Sequence, residues 1–267
     1  MPENTTEPPL GSGDNTPASG DAVTPSAPGF STVRSRTPAQ RRKRVFLHLE
    51  ILTILVALIV IGLYGNFLGT LGVLSFHARR YDLADFFFRD ALWVQEKAHG
   101  SRSLALNEPL NDLAYFYYDR DQMDKAVSTA ERSLSICQTN VAPKDPRYAW
   151  TVSMVSLVYD GSGNFLEAER MANEALPILE TTEGKQSWPV ATTLNRLGMA
   201  LDGEGRFSEA ETALRRALAI REAFGGTNWN GLVPILQNLA SVYSEEGKET
   251  EATMCRQRVE SIEGHRH

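Results

Sequence analysis

Residues 194–222 read LNRLGMALDGEGRFSEAETALRRALAIRE. Apolar side chains recur at helical spacing on both sides of Gly203-Glu204-Gly205, which predicts two helices joined by a tight turn. Gly205 stands where the first helix should end in a left-handed residue, a backbone conformation that glycine adopts without a Cβ clash. Gly198 in the first helix and Ala210 in the second are both small. Two antiparallel helices approach closely only where neither presents a bulky side chain, so these residues predict the packing seam.

The same register extends in both directions with a period of 42 residues. The small residue of the first helix recurs as Gly72, Ala114, Ser156, Gly198 and Ala240, each preceded by an apolar residue: Leu71, Leu113, Val155, Leu197 and Leu239. The small residue of the second helix is Ala84, Ala126, Ala168, Ala210 and Ala252, followed seven positions on by Ala91, Ser133, Ala175, Ala217 and Val259. Gly163, Gly205 and Gly247 share the turn site. With alanine near one residue in ten, five in register arise by chance at about 10⁻⁵. A fixed period in this range marks a stack of helix-turn-helix repeats.

Outside the repeats the composition changes twice. Residues 1–44 are rich in Pro, Ser, Thr and Gly and end in Arg41-Arg42-Lys43-Arg44. With few large apolar residues, this segment cannot offset its ordering entropy and is expected to be a disordered tail. Between Glu50 and His77 lie 26 consecutive uncharged residues, long enough to cross a bilayer as a helix. The expectation is a transmembrane helix over 45–72, followed by a degenerate first repeat over 68–104 and four repeats over 105–263. The long N-region and the lack of a small-residue cleavage site argue against a cleaved signal. Six basic residues between Arg34 and Arg44 predict a single-pass protein with a cytoplasmic N-terminus and its repeats on the opposite side.

The net charge of −6 divides into +2 for residues 1–44 and −8 for the remainder. An acidic repeat region lacks the phosphate-neutralising patches of a nucleic-acid binder. The two cysteines, Cys137 and Cys255, fall in different repeats with several helices between them, too far apart for a disulfide. No zinc spacing, phosphate loop or nucleophile motif is present, and neither a metal nor a cofactor is expected. His265 and His267 stand alone at the C-terminus.

The pattern LG or LA in the first helix, Gly at the turn, EA entering the second helix and then ALxI resembles the tetratricopeptide repeat. The segments WPVATTLNRLG, EAETALRRALAIRE and LQNLASVYSEEGK are similar to the longer repeats of kinesin light chains. The resemblance implies an all-α solenoid that binds other proteins and is not an enzyme. It also implies that the first helices line a concave groove. By register, that groove would present Asn111, Tyr115, Tyr118, Asp119, Trp150, Asp160, Asn195, Arg196, Met199, Asp202, Gln237, Asn238 and Glu245. Asn111, Asn195 and Gln237 would form an amide row able to donate to and accept from an extended backbone. Asp119, Asp160, Asp202 and Glu245 would form an acidic row one turn further on. With Arg196 as the groove's single cation, the expected partner is an extended, neutral-to-basic protein segment. The alternative is a structural scaffold, or a self-associating part of a membrane complex, with no peptide ligand.

Overall fold

The computed structural model describes residues 38–226 and 229–264, with the side chains of the first helix described at 47–53, 56, 60 and from 62 onward. The secondary structure of the described residues is helical throughout. The elements are α1 (Pro38–His77), α2 (Tyr81–His99), α3 (Asn107–Asp119), α4 (Met123–Asn140), α5 (Pro146–Gly161), α6 (Phe165–Thr182), α7 (Trp188–Gly203), α8 (Phe207–Gly225), α9 (Val233–Glu245) and α10 (Glu249–Gly264), with single 3-10 turns before α3 and α9. The chain divides into two units between Leu49 and Glu50, and all the helix pairs lie in the second. The tail expected over 1–44 lies outside the described residues up to 37. Its last seven positions are helical, a correction, because Gln, Arg and Lys are strong helix formers and continue the turn opened by Pro38.

One turn closes every pair. The backbone N–H of Gln122 donates to Tyr117 O, Asn164 to Tyr159 O, Arg206 to Leu201 O and Lys248 to Tyr243 O, at 2.7–2.9 Å. The residue before each donor is left-handed: Asp121 at φ 56°, Gly163 at 80°, Gly205 at 74° and Gly247 at 74°. This is the bond pattern that satisfies the free carbonyls of a helix end and reverses the chain. The identical closure occurs between α1 and α2, where Arg80 N–H donates to Ser75 O behind Arg79 at φ 58°. Arg79 and Asp121 hold a conformation that costs a residue with a Cβ about 1–2 kcal/mol.

The seam between paired helices is as small as the sequence requires. Ala84, Ala126, Ala168, Ala210 and Ala252 are fully buried. A Cβ on Gly198 would meet Leu214 Cγ at 2.5 Å, and Ser156 instead turns its hydroxyl onto Ala168 O at 2.8 Å. Between repeats, the second helices are joined by ion pairs that recur in register. Arg132 meets Glu96, Arg216 meets Glu180 and Arg258 meets Glu222, while Arg206 meets Glu169 and Lys248 meets Glu211. Each contributes at most about 1 kcal/mol at such exposure. Apolar burial, from Phe88 and Phe116 through Val152, Leu179, Leu214 and Leu239, supplies the continuous core.

The last part of α1 is one half of a packed pair. Leu68 is buried with Ala91 and Val94 of α2, and a Cβ on Gly72 would strike the Phe88 ring at 2.6 Å. Gln95 donates to Gly62 O at 3.2 Å and to Asn66 Oδ1 at 2.6 Å. The other faces of α1 carry exposed apolar side chains: Leu52, Val56, Val60, Leu63, Tyr64, Phe67 and Leu74. Among the described residues no helix is long and apolar enough to cross a membrane. The expected span over 45–72 therefore changes. From Gly62 onward the helix lies against α2, which bears Asp82, Asp85, Arg89, Asp90, Glu96 and Lys97. A charged neighbour along its length is incompatible with hydrocarbon on every side.

Two substitutions test this packing. Ala210→Trp overfills the α7–α8 seam and should lower stability by at least about 2 kcal/mol, with loss of helicity in the adjoining repeats. Asp121→Gly relieves the left-handed strain and should raise stability by about 1 kcal/mol. Thermal or urea unfolding followed by circular dichroism measures both, and opposite signs are expected.

Candidate functional site: the first-helix face and its cations

The face formed by α3, α5, α7 and α9 holds the residues the sequence assigned to a groove. At its α3 end the face opens into a cavity of about 310 Å³, bounded by Tyr115, Trp150, Met154 and Arg196 and by Phe76 at the end of α1. Phe76 packs edge-on against Tyr115 and Phe116, with ring centroids 6.0 and 6.2 Å apart. Tyr115 stacks on Tyr118 at 6.4 Å. Tyr115 remains 44% exposed and Trp150 37% exposed, large aromatic surfaces left uncovered beside a cavity.

The amide row is corrected. Asn111 donates to Thr151 Oγ1 at 3.3 Å and accepts from Ser133 Oγ at 2.9 Å. It belongs to a network in which Asn107 donates to Ser133, Cys137 and Thr151, a network that holds α3, α4 and α5 together. Asn195 accepts from Asn238 Nδ2 at 3.0 Å and donates to Met199 Sδ at 3.7 Å, so these amides tie α7 to α9. Gln237 alone is exposed. Groups already paired across repeats do not offer an open row to a backbone.

The acidic row is present and electrostatically unusual. Asp119, Asp160, Asp202 and Glu245 occupy the last or next-to-last position of their helices, where the helix dipole opposes a negative charge. Burial, and then the neighbouring Asp202 charge, push the Asp160 carboxyl up to about 6. Burial and Glu245 raise Asp202 as well, against the hydrogen bond it accepts from Ser241 at 3.4 Å. On the cavity wall, burial and Glu108 push Asp112 up to about 6.

The cations are the part that sequence reasoning undercounted. Arg196 donates to Ser153 Oγ at 2.8 Å and lies 3.8 Å from Met154 Sδ. Burial, assisted by the Arg221 charge and opposed by Tyr115 and Tyr118, pushes its guanidinium down to about 10. Arg221, near the end of α8, stacks 3.4 Å over the Trp188 ring and donates to Thr192 Oγ1 at 2.9 Å. Trp188 in turn meets Trp229 edge-on at 4.9 Å. Burial brings Arg221 to about 10 too, and its Nε has no hydrogen-bond partner among the described residues. Trp188 lies seven positions before Asn195 on the same helical face, a periodicity visible in the sequence. Arg221 is brought there from another helix, and nothing in the sequence marks it.

The tetratricopeptide repeat profile matches residues 105–181 and 189–262, and the chain belongs to that family. Among solved structures, BtubC (BKLC) from P. vanneervenii is 24% identical over 84% of this chain and 86% of its own, with a TM-score of 0.62. A putative kinesin light chain with nearly identical TPR-like repeats from Podosopora anserina is 18% identical over 74% of this chain and 94% of its own, with a TM-score of 0.58. A Rap protein complexed with competence and sporulation factor is 20% identical, with a TM-score of 0.63, and 74% of this chain covers 53% of it. These likenesses show the fold. No curated protein sequence matches the chain.

The acidic row makes stability depend on pH. The Asp160 pKa is higher in the fold than its ordinary 3.8, so the folded chain holds that proton more tightly than the unfolded chain. Its charged form costs stability above about pH 6, on the order of 1–2 kcal/mol, and the cost disappears as pH falls towards 4. Asp160→Asn should therefore raise the melting temperature at pH 8 and leave it unchanged near pH 4. Calorimetry at the two pH values checks this, and an equal shift at both would contradict it.

Proposed function

We propose that this protein is a membrane-anchored protein-interaction module, without catalytic activity, whose first-helix face binds an extended segment of a partner protein. The observation that carries the reading is the uncovered aromatic surface of Tyr115 and Trp150 around a cavity walled by half-buried polar groups. Aromatic anchors beside a cavity supply most of the energy of an interface. The acids at the helix ends favour neutral or basic residues along that edge. They tune selectivity and association rate more than affinity. The Rap protein complexed with competence and sporulation factor shares the fold, and that supports a binding role for such a helical stack.

We read the repeats as the 42-residue, kinesin-light-chain-like form. The domains are four repeats over 105–263, preceded by a degenerate unit in which the end of α1 and α2 form the pair. The degenerate unit rests on the fifth copy of the turn at Arg79 and on the Gly72–Phe88 contact. The anchor belongs to the part of α1 before Gly62. Val45–Ile61 spans roughly 25 Å at helical rise, at the short end of what crosses a bilayer. The support is the run of exposed apolar side chains on this part of α1, at Leu47, Leu49, Ile51, Leu52, Val56 and Val60. The basic cluster before it favours a cytoplasmic N-terminus.

Two experiments test these statements. Affinity capture from detergent-solubilised membranes should yield a partner whose binding is lost in the Tyr115→Ala, Trp150→Ala double variant while helicity is retained. Full binding by that variant would remove the groove from consideration. The full chain should resist carbonate extraction, and a chain beginning at Gly62 should be soluble. A chain beginning at Arg79 should be soluble but less stable, because Phe88 and Gln95 lose their cover. Full-length protein in the soluble fraction would end the anchor reading.

A further inference from the structure

The arginines of α4 to α10 divide sharply by partner. Arg132, Arg147, Arg170, Arg215, Arg216, Arg256 and Arg258 each meet a carboxylate within 4 Å. Arg196 and Arg221 meet none among the described residues. In a chain with net charge −6, two half-buried guanidinium groups without a counter-ion are the exception. Both are held by neutral groups: Arg196 by a hydroxyl and a thioether, Arg221 by a hydroxyl and an indole face.

They also share one place. Thr192 and Arg196 are neighbours one turn apart on α7, about 5–6 Å between Cβ atoms, and Arg221 grips Thr192. The two cations are within electrostatic reach of each other and repel. Holding like charges together, partly out of water and unpaired, costs free energy in the empty protein. An anion entering between them recovers that cost, and the planar guanidinium forks match a carboxylate. The Thr192 hydroxyl lies between them, while Ser153 and Thr193, bonded to each other at 2.8 Å, are fully buried behind Arg196. Trp188, beside Arg221, is 41% exposed and Trp150 37%.

We propose that Arg196 and Arg221 form an anion seat for a carboxylate side chain of the partner segment, with Trp150 and Trp188 covering the apolar residues on either side. This deepens the groove reading and rests on it. The groove then has two unlike edges. The ends of the first helices present Asp119, Asp160, Asp202 and Glu245, and the opposite edge presents unpaired cations among indole rings. A partner that fits carries an acidic residue flanked by apolar ones on the second edge and neutral or basic residues on the first.

The test uses the full chain in detergent with three labelled peptides of equal length, alternating leucine with glutamate, glutamine or lysine, read by fluorescence anisotropy at low salt. The glutamate peptide should bind about tenfold more tightly than the glutamine peptide. Arg196→Gln and Arg221→Gln should each remove most of that difference at unchanged helicity, and Arg221→Lys should restore part of it. Should the glutamine variants unfold, wild type alone gives the answer, because added salt should weaken the glutamate peptide and spare the glutamine one. Equal binding of glutamate and glutamine peptides, or a preference unaltered in the double variant, overturns the proposal. If the lysine or glutamine peptide binds and is lost in the Tyr115→Ala, Trp150→Ala variant, the groove stands and only the anion seat falls. If no peptide binds and the captured partner ignores that variant, the groove reading falls with it.

Discussion

Each helix pair depends on a close approach between two backbones. The chain must reverse within a few residues, so the first helix must end in a left-handed residue, and the second must then lie against it over a seam that admits no large side chain. Gly163, Gly205 and Gly247 meet the first condition at no steric cost. Five fully buried alanines meet the second. Everything else follows from repeating this geometry. The core is continuous because each pair hides its remaining apolar face on the next. The ion pairs between second helices recur because the repeat places the same positions side by side.

The constraint also explains the apolar stretch of α1. A run of 26 uncharged residues reads as a bilayer span when only hydropathy is considered. In the fold, its second half obeys the rule of the repeats instead. Gly72 is a seam glycine, Arg79 takes the left-handed turn, and Leu68 packs beneath α2. The helix is apolar on more sides than packing alone requires. The uncovered faces of Leu63, Tyr64 and Phe67 leave a surface that water solvates poorly.

On the first-helix face, charge is distributed by burial more than by composition. The acids at the helix ends sit against the dipole and against one another, and burial, then the Asp202 charge, holds Asp160 near 6. Arg196 and Arg221 are stabilised by hydroxyl, sulfur and ring contacts in place of carboxylates. Such an arrangement is costly in the free protein. Exposed ion pairs elsewhere in the molecule serve mainly to hold neighbouring repeats in register.

The sequence by itself determined the helix pairs, their turns and their seam, because each depends on residues close together in the chain. Gly205 and Ala210 declare the turn and the contact through their own stereochemistry. The acids at the helix ends and the exposed Tyr115 and Trp150 were legible for the same reason, since helical register alone places them. The tertiary structure decided the rest. Asn111 and Asn195 look free in register and are consumed by Ser133, Thr151 and Asn238, residues 22 to 43 positions away. Arg221 reads as an ordinary surface arginine of α8 until stacking sets it over Trp188 and beside Thr192. Whether a polar group is spent inside the fold or left for a partner depends on what the neighbouring repeat brings to it, and local sequence does not encode that neighbour.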